Sequence, residues 1–269
     1  WPPNPLTAKM HVGNGKKVTI PDNLYPNVRA VEVDKDYPIA GPLPGKLYIE
    51  GNSNYLQTMT FDLEDNTTLG LQHSFGIAVD NNPNAILTSI YKTFGVSHYV
   101  FNKTDGSQNT GYALPDTIAS ITADNSTPVN NNVLIQRVGG SDPLVVNQYI
   151  YIKQGTLVPD QASGTRLYGD FTIEGTGVFN PNNSNFIFDR NDAVYTSHVV
   201  SIGNQTGLQF YNLTMNTTGT FVEVRRTIDD NDANMFVTNI MNFASASLLA
   251  LQEYNSRIPN LIIENNSTN

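Results

Sequence analysis

The sequence predicts an all-β protein, and three observations carry that prediction. Short runs of alternating apolar and polar residues recur from end to end, which is the period of a half-buried strand. Most runs close on Asn, Asp, Gly or Pro, residues whose backbone and side-chain chemistry favours turns. Helical periodicity is thin: only residues 242–254 have a helix-tolerant composition, and they read equally well as two short strands.

Taken in order, Trp1-Pro2-Pro3-Asn4-Pro5 is an extended, proline-stiffened arm, expected to reach a neighbouring subunit. The chain opens on Trp1 rather than Met, as a processed N-terminus would. Strands follow at Lys17-Val18-Thr19-Ile20, Val28-Arg29-Ala30-Val31-Glu32-Val33 and Lys46-Leu47-Tyr48-Ile49-Glu50. Others lie at Gln57-Thr58-Met59-Thr60-Phe61-Asp62-Leu63, Phe75-Gly76-Ile77-Ala78-Val79 and Val145-Val146-Asn147-Gln148-Tyr149-Ile150-Tyr151-Ile152. Short strands between turn signals point to an antiparallel β-sandwich or jelly-roll domain over 1–130. The Asn-rich stretch around 125–132 reads as the loop that ends it.

Residues 131–269 form a second β domain, a jelly-roll or a short parallel β-helix. Val199-Val200-Ser201-Ile202, Phe221-Val222-Glu223-Val224 and Leu248-Leu249-Ala250-Leu251 open stretches of similar pattern. Each is followed by a hydrophobic segment with an asparagine: 208–213, 235–240 and 258–261. The spacing of about 22 to 27 residues suits one coil of a parallel β-helix. Asparagine at a recurring bend fits, because its amide can ladder with the asparagine of the next coil. The phrase Phe171-Thr172-Ile173-Glu174-Gly175-Thr176-Gly177 resembles pectate-lyase-like and tailspike-like β-helices, which implies coils of that kind here. Residues 73–85, with Gly111-Tyr112-Ala113-Leu114-Pro115, resemble β-domains of viral structural proteins. That resemblance implies a particle or another extracellular assembly.

Composition narrows the function. A net charge of −9 and a pI near 4.8 argue against nucleic acid, whose phosphates need a cationic surface. Charged residues are only 14% of the chain, against about 25% in an ordinary domain. Thirty-four asparagines fill the gap, giving a surface whose hydration does not depend on protonation. Cysteine is absent, which removes thiol chemistry and zinc knuckles. No apolar run approaches the ~18 residues of a membrane span. Nine Asn-x-Ser/Thr sites, at Asn66, Asn102, Asn125, Asn182, Asn204, Asn212, Asn216, Asn265 and Asn266, permit glycosylation without indicating it.

Few residues offer chemistry. His11, His73, His98 and His198 have no metal spacing. No nucleophile elbow or phosphate-binding glycine loop occurs. Carboxylates are the remaining catalytic option, as a pair facing across a glycosidic bond: Glu174, Asp189, Asp192, Glu223, Asp229, Asp230 and Asp232. The alternative for these acids is a solvated turn residue. Asp80, Asn82 and Asn84, and likewise Asp230, Asp232 and Asn234, place oxygens at alternate positions, as a calcium-wrapping loop does. Structural calcium is therefore the one cofactor expected, if any. Tyr48, Tyr55, Tyr91, Tyr99, Tyr149, Tyr151, Tyr195 and Tyr211 lie in strand-like runs and could stack on sugars or simply pack.

The expectation is a non-enzymatic structural subunit of a virus particle or extracellular filament, on a virion surface or outside the cell. Its partner would be itself, as a homo-oligomer, with host surface glycans as a further partner. The alternative is a tailspike-like protein that binds or cleaves glycans with paired carboxylates.

Overall fold

Alternation buries one face of each strand, and the structure shows what each buried face meets. The computed structural model describes residues 9–13, 15–22, 27–33, 44–51, 55–77, 85–126, 131–136, 142–189, 197–203, 207–216, 221–225, 234–243, 248–251 and 261–263. Among these there are strands and turns but no helix. The chain divides into two compact units, Trp1–Val138 and Gly139–Asn269.

The first unit contains β1 (Lys9–Val12), β2 (Lys17–Ile20), β3 (Asn27–Val33), β4 (Lys46–Ile49), β5 (Leu56–Leu63), β6 (Thr68–Leu71) and β7 (Ile86–Phe94). It continues with β8 (His98–Phe101), β9 (Gln108–Asn109), β10 (Thr117–Asp124) and β11 (Asn132–Leu134). Consecutive strands from β1 to β8 go to alternate sheets. One sheet runs β1-β3-β5-β7, a second runs β2-β4-β6-β8-β10, and β9 pairs with β11. The pairings are parallel. Each turn of chain therefore lies on the turn before it, forming coils.

Inward residues stack along the coils. Leu47, Leu69, Tyr99 and Ile121 are register partners, as are Ile49, Leu71, Phe101 and Ala123, and all eight are fully buried. Two residues beyond the second row the chain turns a corner at Gly51, His73, Lys103 and Asn125, every one of them buried. Polar groups there bond across coils. Gln72 Oε1 accepts from the Gly51 amide at 2.7 Å, and Asn125 Oδ1 accepts from the Lys103 amide at 2.9 Å. Gln108 Nε2 donates to the carbonyls of Leu71 and His73. Burial makes these bonds obligatory, since an unpaired buried polar group costs about 1–3 kcal/mol.

The second unit contains β12 (Leu144–Gln154), β13 (Thr156–Val158), β14 (Thr165–Leu167), β15 (Asp170–Ile173), β16 (Val178–Phe179) and β17 (Asn185–Asp189). Then come β18 (Ser197–Ser201), β19 (Gly207–Asn216), β20 (Phe221–Arg225), β21 (Asn234–Phe243), β22 (Leu248–Leu251) and β23 (Leu261–Ile263). The long β12 serves two ladders. One runs β12-β14-β17-β19-β21-β23, the other β12-β15-β18-β20-β22, and β13 pairs with β16. All of these pairings are parallel. Phe171, Phe179, Phe186, Phe188 and Phe210 fill the interior, with Phe186 5.1 Å from both Phe188 and Phe210, centroid to centroid. Each buried phenylalanine is worth about 1.5–3 kcal/mol in area alone.

The antiparallel sandwich expected over 1–130 does not form; the sheets there are parallel. Period-2 alternation records which face is buried but not the direction of the neighbouring strand. Partners in the first unit lie a full coil apart, as Lys17 and Lys46 do, and that separation gives the crossover that parallel pairing needs. In 139–269 the repeated segments stack as coils would, with Phe221 opposite both Ser197 and Leu248. Residues 242–254 hold no helix among those described: Asn242 and Phe243 end β21, and Leu248–Leu251 is β22. In the Ile173-Glu174-Gly175-Thr176-Gly177 phrase, Gly175 takes a φ of 54°, and a Cβ on Gly177 would lie 2.3 Å from the Ile152 carbonyl oxygen. The two glycines are a corner device: one supplies the left-handed turn and the other the close approach.

Candidate functional site

The calcium candidates Asp80, Asn82, Asn84, Asp230 and Asp232 lie outside the described residues, while Asn234 begins β21 opposite Gly207. Among the described residues no group of three or more His, Asp or Glu side chains could hold a metal ion. Of the catalytic candidates, Asp192, Asp229, Asp230 and Asp232 are outside the described residues, and Glu223 sits in β20 opposite Val199. Glu174 and Asp189 can be followed in full.

Asp189 ends β17 and is 5% exposed. Its Oδ2 accepts from Arg166 Nη1 of the previous coil, and its Oδ1 accepts from Asn216 Nδ2 of the next at 2.9 Å. Burial alone would lower the Arg166 pKa, but hydrogen bonding to Tyr168 and the charge of Asp189 outweigh it and raise it. The carboxylate is thus the middle of a three-coil ladder, with both oxygens engaged. Beside it runs a second ladder: Asn239 Nδ2 donates to Asn212 Oδ1, and Asn212 Nδ2 donates to Asn185 Oδ1, both at 2.7 Å. The laddering expected of asparagine is present, although these residues lie in strands rather than at a left-handed bend.

Glu174 is exposed just past β15, and its Oε2 accepts from the Tyr151 hydroxyl at 2.6 Å. Asp170 points to the same face four residues earlier, opposite Tyr149. Tyr149, Tyr151, Asp170 and Glu174 lie together on β12, β15 and the turn after it, with the exposed Lys153 opposite Glu174.

In the first unit one register row passes from exposed lysines to buried polar residues. Lys17, Lys46, Thr68, His98 and Ser120 follow one another across five strands in register. The Tyr48 ring lies on Gly70, where a Cβ would come 2.1 Å from Cδ1, and Lys17 Nζ sits 4.3 Å from the ring centroid. His98 Nδ1 and Ser120 Oγ are 2.7 Å apart. Burial, and then the charge of Lys46, lower the His98 pKa. Ser120 is 1% exposed, so the pair is closed to a substrate. His73 is buried at the corner, where its Nδ1 accepts the Phe75 amide. Tyr99 is no stacking platform: it is fully buried and donates to the Gly95 carbonyl at 2.9 Å.

Sequence reasoning missed the buried corner row of His73, Lys103 and Asn125. The available signal was a polar residue at a fixed offset, two positions beyond an apolar strand end.

These features define the chain as an all-β protein of stacked parallel coils with polar ladders on its strands. Searches against known protein families, curated proteins and solved structures find no match. No described helix is long and apolar enough to cross a membrane.

Proposed function

We propose that the chain is a non-enzymatic structural subunit of a virus particle or extracellular filament, mediating self-assembly and surface attachment. The observation that supports this most directly is the use of Asp189. The most buried of the candidate catalytic carboxylates that can be followed is tied to Arg166 and Asn216 of adjacent coils. It is a coil-to-coil fastener, and the asparagine ladder beside it has the same role. The amide-rich, weakly charged composition fits exposure outside a cell. Multi-angle light scattering with electron microscopy across a concentration series tests the reading. A defined homo-oligomer is expected; a monomer at every concentration rejects it.

A second reading, attachment to a glycan, is favoured by the Tyr149, Tyr151, Asp170 and Glu174 face. Aromatic rings can stack on sugar faces, and carboxylates accept from hydroxyls. A screen of neutral polysaccharides should find a binder that Tyr151→Ala weakens, with no reducing ends released. Absence of any binder removes this reading. Structural calcium at Asp80, Asn82 and Asn84, or at Asp230, Asp232 and Asn234, rests on the sequence alone. It is checked by melting with calcium and with a chelator, and identical curves dismiss it.

A further inference from the structure

Six of the Asn-x-Ser/Thr sequences begin within the described residues, at Asn66, Asn102, Asn125, Asn182, Asn212 and Asn216. The fold uses these asparagines differently. Asn125 is fully buried, with its Oδ1 accepting the Lys103 amide and its Nδ2 facing the carbonyls of Gly106 and Asn132. Asn212 donates its Nδ2 to Asn185, and Asn216 donates its Nδ2 to Asp189, so both amides serve coil-to-coil bonds. Asn102 is half-buried, and its carboxamide oxygen is enclosed.

Asn66 and Asn182 stand apart from these four. Both are exposed, and among the described residues they are the non-glycine positions with a positive φ, at 60° and 48°. Asparagine tolerates that left-handed backbone, which occurs at turns. Asn66 has a further interaction of its own, whereas the Asn182 side chain bonds to none of the described residues. The turn over 180–184, which joins β16 to β17, closes without it. The backbone amide of Asn182 donates to Asn180 Oδ1 at 3.0 Å, and the Ser184 amide donates to the Pro181 carbonyl at 3.1 Å. The Ser184 hydroxyl donates to the same carbonyl at 2.6 Å, and the Asn180 amide donates to the Leu157 carbonyl of the previous coil at 3.0 Å. The Asn182 carboxamide thus faces solvent from a turn that other groups hold.

Resting on the extracellular setting of the proposed function, we infer that Asn182 is an acceptor for an N-linked glycan. The chemistry is a group transfer from an oligosaccharide joined through its anomeric carbon to a lipid diphosphate. Asn182 Nδ2 forms a bond to that carbon, and the carbon's bond to the diphosphate oxygen breaks. Nδ2 gives up one proton, and the lipid diphosphate leaves. Ser184 is the hydroxyl residue that the acceptor sequence needs. In the folded chain this hydroxyl is buried against Pro181, so transfer precedes closure of the turn. Folding then leaves a glycan on Asn182 in solvent, where such a bulky hydrophilic group belongs, while one on Asn125 would have to enter the core.

The test sends the full chain, behind a secretion signal, through a eukaryotic secretory host, together with Asn182→Gly. Glycine keeps the left-handed turn and removes the acceptor. Circular dichroism and melting establish that the secreted material is folded, and light scattering reads its self-assembly separately. Enzymatic release of N-glycans with mass spectrometry of the peptides then gives the occupancy of each sequence. Asn182 should be occupied, Asn125 should be bare in folded material, and the variant should lose the whole Asn182 signal. A folded, secreted parent with Asn182 bare overturns the inference while leaving the extracellular setting standing. Higher occupancy at Asn125, Asn212 or Asn216 than at Asn182 overturns it as well. A parent that never emerges folded from the secretory pathway overturns both.

Discussion

Asp189 has one neighbour in the coil before it and one in the coil after it. Asp189→Ala removes the charge that compensates half-exposed Arg166 and the acceptor of Asn216. A loss of about 2–4 kcal/mol is expected, measured by denaturant unfolding, and Asp189→Asn should lose less because it keeps an acceptor. His73 gives a pH dependence. Burial, and then the charge of Lys103, lower its pKa to about 4 from an ordinary 6.5. Between those values the unfolded chain binds the proton and the folded chain does not. Stability should therefore fall as pH drops from 6.5 toward 4 and level off below, by roughly 2 kcal/mol after allowance for solvent screening. His73→Gln should flatten that slope; an unchanged slope would reject the assignment. Neither residue's role was legible in the sequence, because the partners of Asp189 lie 23 and 27 positions away.

Ladders are the unit of organisation at the scale of strands. Asn212 is the central rung of its row, donating to Asn185 and accepting from Asn239. Asn212→Ala should cost about 1–2 kcal/mol, more than Asn239→Ala, since it breaks two bonds; equal losses would mean that the rungs act independently of position. This row was partly legible because the coils that carry it, from β17 to β23, are nearly equal in length, although earlier coils of the unit span 21 residues, as Thr165 to Phe186 does. Asn185 faces Asn212 and Leu208 faces Met235, each 27 residues on, and Met235 faces Leu261 after 26. The first unit hid its repeat. Lys9 faces Ala30 after 21 residues, Ala30 faces Thr60 after 30, and Thr60 faces Tyr91 after 31. Without a constant period, its alternating strands gave no indication that each pairs a whole coil away.

For the molecule as a whole, the balance between amides and charges matters most. With only 14% charged residues and many coil-to-coil bonds made by neutral amides, folding should respond weakly to ionic strength. The melting temperature should move by no more than a few degrees between about 50 mM and about 1 M sodium chloride. A large shift in melting would instead assign the fold a dependence on surface ion pairs. Strand content and turn chemistry were legible at this scale because both are local properties. Strand direction and the pairing of Lys17 with Lys46 were not, since both arise only when distant coils are set side by side.

The unequal coils of the first unit carry a genetic consequence. Strand register is fixed by the stacking of Leu47, Leu69, Tyr99 and Ile121, whatever length of chain joins them. Codons gained or lost in a connection clear of the buried corner row of His73, Lys103 and Asn125 leave every rung in place, whereas a single codon gained inside a strand turns its buried face outward. Over generations such a gene can change length in those connections while its strands hold still. The connections, and not the corners, are accordingly the places to insert a displayed peptide.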